Sequence, residues 1–369
     1  MKKIIVFVLV MIIFSLPTAA ADEIYSEQYE ISGADELKYA LDKETQAFFE
    51  ENGLEISGYD WVNKLSRENV FSHLLSLIRG KVKNPLSSCA MIICIILITA
   101  AVTSFGDENG KYTAALYAAA LAITAIIASD IWKSVCAATS AVKGSATFML
   151  SFIPVFAGTV ALSGGSISAV SMSALLLGAA ETVSFAASFL VLPLMGGYLA
   201  LSICSGVSPI LEGSDITELV KKMAVWAISF ISTLFVGILG IQTAVNSSAD
   251  TLAMKSAKFI IGTSVPIAGP ALSEAASTIS ASLSLLKSSI GIYGVVAVAV
   301  IFIPVIAELI IWRAVMLACS SVSSLFSLPK ISALLKAVDS MLSLLLGITL
   351  LVGSMFIISL TVTVTGVKV

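Results

Sequence analysis

The sequence predicts an all-α polytopic membrane protein of about eight to ten transmembrane or re-entrant helical segments, with two related modules behind a small acidic extracytoplasmic segment. Three observations carry this. Hydrophobic residues make up 57% of the 369-residue chain and charged residues 12%, about half the charge that a water-facing globular surface carries; mean hydropathy is +1.00. A proline-centred apolar module occurs twice, with Pro154 and Pro266 112 positions apart. Finally, 13 of the 24 carboxylates crowd into residues 22–68, directly behind a leader-like start.

That start occupies residues 1–21. Lys2 and Lys3 precede the apolar run Ile4 to Phe14, followed by Pro17 and Ala19-Ala20-Ala21, the layout of a signal peptide cut after Ala21. The apolar run is shorter than the about 20 residues an ordinary span needs. An uncleaved anchor is the alternative, and either arrangement places residues 22–84 on the outer side of the membrane. Only Lys38, Lys43, Lys64 and Arg67 oppose the carboxylates there, in keeping with the scarcity of Lys and Arg in translocated segments. Asp35 to Leu41 predicts a short helix. Ser66 to Val82 places Val70, Leu74, Leu77, Ile78 and Val82 on one stripe, an interfacial helix with Arg79, Lys81 and Lys83 at the membrane edge before Pro85.

Residues 85–142 predict a helical pair, 86–105 and 112–129, joined by the turn Gly106-Asp107-Glu108-Asn109-Gly110. Ala114, Ala118 and Ala122 give the second helix a small-residue face for close approach. An amphipathic connector, Trp132 to Lys143, leads to the modules at 143–245 and 255–360, with a tail at 361–369. The module openings, 148–162 and 259–272, reach about 22 Å as helices, short of a hydrocarbon core of about 30 Å. Pro154 with Gly158, and Pro266 with Gly269, are therefore expected to break or re-enter, since proline removes a helical hydrogen bond. Pro193 and Pro304 interrupt the next apolar run of each module. Each module closes with an amphipathic lead-in and a span: Ile216 to Lys221 before 223–243, and Ile331 to Lys336 before 338–360. If Lys221, Lys222, Lys330 and Lys336 are all cytoplasmic, the copies are parallel and the C-terminus is outside; re-entrant openings would invert them.

Ionisable residues inside the apolar region are candidate pathway or intramembrane polar residues: Glu181, Glu274, Lys287, Glu308 and Arg313. The bland alternative is snorkelling at the membrane edge. Glu308 and Arg313 sit in a long apolar run, about 140° apart on a helix, so they call for partners on neighbouring helices or a loop at Pro304. Ser277, Ser280, Ser284 and Ser288 form a hydroxyl face that suits helix packing or water. The five cysteines read as small hydrophobes, because none lies in the acidic segment where an oxidising exterior would pair them. Catalytic patterns are absent: the single histidine, His73, excludes a His-based intramembrane triad or a zinc motif needing two histidines. No phosphate-cradling G-x-x-x-x-G-K-[ST] loop occurs, no basic stripe suited to nucleic acid, and no cofactor is expected.

The stretches Ala257-Lys258-Phe259-Ile260-Ile261-Gly262, Val265-Pro266-Ile267-Ala268-Gly269, Thr278 to Ser282, Leu285-Leu286-Lys287 and Gly291 to Val295 resemble the stage III sporulation protein AE family of endospore-forming bacteria. In the first module, Ser151-Phe152-Ile153-Pro154 and Ser163 to Ala169 add to this. The order of leader, acidic segment, helical pair and apolar modules matches over nearly the whole chain, although the acidic segment is shorter and more divergent than the family's. The resemblance implies a non-enzymatic multi-pass component of the channel, or feeding tube, between mother cell and forespore, in the mother-cell membrane around the forespore. Implied partners are proteins of the same operon: ring-forming extracellular modules, a secretion-type ATPase and small membrane subunits. A second copy of this chain is a further candidate partner. The competing expectation is a self-sufficient secondary transporter using the two modules about a midplane site.

Overall fold

A computed structural model describes residues 29, 31–54, 67–104, 111–162, 178, 181–185, 187–207, 215–246 and 269–366. Residues 1–21, expected to be a leader cut after Ala21, and Pro266 lie outside the described residues. A short 3₁₀ helix, Ala34–Ala40, is followed by α1 (Lys43–Glu51), α2 (Arg67–Thr103), α3 (Lys111–Leu162), α4 (Leu192–Val207), α5 (Asp215–Asn246), α6 (Gly269–Leu325) and α7 (Pro329–Gly366). No strand occurs among the described residues. Five helical runs among them are long and apolar enough to cross a membrane: Ile78–Thr103, Thr113–Val160, Glu181–Leu201, Ser289–Leu325 and Pro329–Thr361.

The helices are longer than their prolines suggest. Helix α2 runs through Pro85, α3 through Pro154 and Gly158, and α6 through Pro304. The breaks expected at Pro154, Gly158 and Pro304 do not form, and the interfacial helix and first span merge into one. Phase explains the continuity. Along α3, Leu116, Ala120, Ile123, Ile127, Ile131, Ser134, Ala138, Ala141, Ser145, Phe148, Phe152, Val155 and Thr159 are all buried, stepping by three or four residues throughout. The connector Trp132 to Lys143 shares this register, so one continuous face packs from end to end. Proline removes a single hydrogen bond, and packing along that face holds the turns on either side. At 52 residues, α3 is about 78 Å long, well beyond a bilayer core of about 30 Å.

The described parts of the two module openings differ. Gly269 opens α6, whereas Pro154 lies inside α3. Pro193 is the second residue of α4, directly behind the π-helical turn Ala187–Val191, which takes up the irregularity. The closing lead-ins do share a form: Ile216 to Lys221 starts α5 and Ile331 to Lys336 starts α7.

Helices α6 and α7 form the central antiparallel hairpin. Its turn is closed by Leu328 N–H to the Ser323 carbonyl at 3.0 Å, with the Ser323 hydroxyl returning a bond to the Leu328 carbonyl at 3.0 Å. Pro329 then opens α7, where its missing N–H costs nothing. Ser327 takes a left-handed conformation, φ 57°, a position glycine fills more easily. Ser327→Gly is expected to raise stability by roughly 0.5 kcal/mol: relief of about 1 kcal/mol of left-handed strain is partly offset by glycine's greater unfolded freedom. A small rise in the thermal midpoint of the detergent-solubilised protein checks this.

Side-chain contacts set the register around the hairpin. Phe302 packs 6.5 Å from Phe356. Helix α3 runs antiparallel to α6, bringing Phe148 6.5 Å from Tyr293 at one level and Ser134 to Glu308 at another. The acidic segment docks here too. Leu37, Phe48, Phe49 and Leu54 are buried, with Phe49 4.6 Å from Tyr293, while Asp35, Glu36, Asp42, Glu44, Glu50 and Glu51 stay exposed.

Candidate functional site

Two of the ionisable side chains in the apolar bundle, Glu308 and Arg313, find partners partway along its long helices. Glu308 on α6 accepts a hydrogen bond from the Ser134 hydroxyl of α3 at 2.8 Å. Its other oxygen lies 3.8 Å from the Lys81 ammonium of α2. The single hydroxyl proton of Ser134 also has the Asp130 carbonyl within 3.2 Å, and the shorter contact to a charged acceptor is the stronger one. One and a half turns along α6, Arg313 donates from Nε to Asp339 Oδ1 of α7 at 3.0 Å. On the exposed side of α3, Lys133 pairs with Asp130 at 3.0 Å.

These contacts tie α2, α3, α6 and α7 together at neighbouring levels, since five residues of helix rise only about 7.5 Å. Apolar packing continues on both sides of them. Ile92, Ile96, Ile123 and Ile127 are buried towards one end, and Phe148, Phe152, Phe302 and Phe356 towards the other. Near the first of those ends, the Lys330 ammonium of α7 donates to the Tyr117 hydroxyl of α3 at 2.7 Å. A cavity of about 160 Å³ adjoins the ionic contacts, with Lys81, Asp42 and Glu44 at its polar wall and Gly144, Val300 and Pro304 among its apolar lining.

Of the sequence candidates, the structure brings Glu308 and Arg313 to this layer, each with its partner on a different helix. They do not pair with each other. Glu181 opens the run Glu181–Leu201; its Oε1 is buried and without a hydrogen-bond partner among the described residues. Glu274 and Lys287 lie on α6, their side chains outside the described set. The residue that sequence reasoning missed is Asp339. It lies inside the span 338–360, where a lone carboxylate in an apolar run was the available signal.

Chemically, the arrangement holds helices together. The Ser134 hydrogen bond and the Lys81 ammonium stabilise the Glu308 carboxylate, and Arg313 and Asp339 offset each other's charge, where each alone would be costly in a low-dielectric bundle. Among the described residues no group of three His, Cys, Asp or Glu side chains converges as a metal site requires.

A helical apolar bundle in which Glu308 and Arg313 are paired between helices defines a polytopic integral membrane protein. The family profile described as stage III sporulation protein AE matches residues 60–366, and the chain belongs to that family. Stage III sporulation protein AE of Bacillus subtilis (strain 168) is 28% identical over 230 residues, a match covering 62% of this chain and 57% of that relative. The chain thus spans little more than half the length of the curated relative it matches. No solved structure matches it.

Proposed function

We propose that the protein is a non-enzymatic membrane subunit of the sporulation channel complex between mother cell and forespore, serving as its platform or conduit in the mother-cell membrane and required for late forespore development. Family membership over residues 60–366 supports the sporulation setting. The observation that favours a platform over a transporter is the pairing of Glu308 and Arg313 with fixed side chains on other helices. A substrate site needs groups free to exchange partners, whereas these are committed to holding α3, α6 and α7. The docked acidic segment, with its carboxylates facing outward, offers the outer surface on which ring-forming extracellular subunits of the same operon would assemble. A secretion-type ATPase would supply any work from the cytoplasmic side, and small membrane subunits would complete the base.

Gentle purification from sporulating cells in mild detergent tests this. The expected result is a large assembly carrying other products of the operon. Recovery as a lone monomer that restores solute uptake in vesicles would instead establish the self-sufficient transporter.

A further inference from the structure

The cysteines look like scattered small hydrophobes in the sequence, and the fold brings two of them together. Cys89 of α2 and Cys319 of α6, 230 residues apart in the chain, have their sulfurs 3.7 Å apart. They lie on the same α2–α6 seam as the Lys81–Glu308 contact, about 12 Å further along α2 and about 16 Å further along α6. The two helices run parallel, since both contacts advance in the same direction along each chain segment. The seam therefore carries an ionic contact at one level and a dithiol at another. Cys319 is buried and Cys89 only half-buried, while Cys94, Cys136 and Cys204 are exposed.

We propose that Cys89 and Cys319 form an oxidisable dithiol, a modification site at which a disulfide staples α2 to the central hairpin. The co-reactant is an external disulfide, either a small molecule or a thiol oxidoreductase. Accessibility orders the steps. The Cys89 thiol loses its proton and its sulfur attacks the external disulfide, forming a mixed disulfide and releasing one thiol. The Cys319 sulfur, already in contact, then attacks Cys89 Sγ and expels the second thiol. The two protons lost by the cysteines end on the two released thiols, and the two electrons that the external disulfide accepts are those given up by the pair. Bond formation needs the sulfurs to close from 3.7 Å to about 2.05 Å. The product closes the chain into a loop spanning α3 to α6 and fixes the N-terminal span against the hairpin, so the site sets how far α2 can separate from α6.

The test uses the full chain in its own membranes, with a site-specific protease sequence inserted between residues 247 and 250. Diamide serves as the oxidant; it takes up two electrons and two protons from a thiol pair and becomes the hydrazine. After oxidation and cleavage, the two halves are expected to migrate together without reductant and to separate with it. A triple variant, Cys94→Ser, Cys136→Ser and Cys204→Ser, should behave the same, whereas Cys89→Ser or Cys319→Ser should abolish the linked species. Mass spectrometry of the unaltered protein gives a readout that does not depend on any variant folding, and the expected product is the linked peptide pair containing Cys89 and Cys319. Complete separation of the halves after oxidation, with both thiols still reactive to maleimide, would overturn the proposal. So would linkage that persists in Cys89→Ser.

Discussion

Arg313→Met is expected to destabilise the detergent-solubilised protein by about 3 kcal/mol, because it strands the Asp339 carboxylate among apolar helices. Asp339 is 15% exposed and sits 3.0 Å from the Arg313 Nε. With its partner gone, its charge keeps little contact with water, and Lys336 one turn earlier on α7 is exposed. The reciprocal change, Asp339→Leu, should cost less. Arg313 is 30% exposed, and its long side chain has some freedom to carry the guanidinium towards water. The informative variant is the double, Arg313→Met with Asp339→Leu. Apolar residues of similar volume then replace both charges, and such replacements are often neutral or better in buried pairs. The double should recover most of the loss, with a coupling energy of at least about 1 kcal/mol between the sites. Thermal or denaturant unfolding of the four proteins measures this, and additive losses would show that the two residues do not act as a pair.

The same double variant bears on function. A platform needs the helices held, and methionine against leucine holds them by packing. Sporulation should therefore survive in the double variant and fail in the Arg313 single. A transport pathway through the layer needs the charges themselves, so it would be lost in both.

What was legible in the sequence follows from which forces are local. Charge depletion announces a membrane protein because it is a bulk property, spread over the whole chain. Glu308 and Arg313 stood out because an ionisable residue in an apolar run is expensive wherever it ends up. Their 140° separation also foretold partners on other helices. Which partners could not be read: Ser134 is 174 positions away and Asp339 is 26, and nothing local links them. The prolines misled for a related reason. Pro85, Pro154 and Pro304 each remove one hydrogen bond, a local and visible effect. The continuous buried face that overrides Pro154 in α3 involves thirteen residues along the whole helix. In α3 that face was present in the sequence, but dividing the chain at Asp130 and Lys143 hid its unbroken phase. The cysteine pair shows the limit most plainly, since neither Cys89 nor Cys319 carries any mark of the other.

Gly294→Ala is expected to cost about 1–3 kcal/mol, the range typical of overpacking a filled interior. Helix α6 passes so close to α3 and α7 at this point that an added Cβ would lie 2.6 Å from Phe152 Cε2 and 3.2 Å from Leu360 Cδ2. Neither neighbour has room to retreat. Phe152 is fully buried in a row with Phe148 and Phe156, at centroid distances of 5.7 and 5.6 Å, and Leu360 is 1% exposed. Helices in a bilayer gain little from hydrophobic exclusion and associate through close packing, so a displaced contact at the three-helix crossing is felt directly. This glycine lies ten residues before Pro304, inside the stretch Gly291 to Val295 that carries the family resemblance, but nothing local in the sequence shows the crossing it serves. Compensation separates a steric cause from a general loss of helix integrity. Shortening the obstacle with Phe152→Leu in the Gly294→Ala background should restore part of the stability, whereas Phe152→Leu alone should lower it by leaving a void beside the glycine. Both signs can be read from unfolding midpoints. If the double variant is no better than Gly294→Ala, the close approach of α6 to α3 at Gly294 is not what the glycine serves.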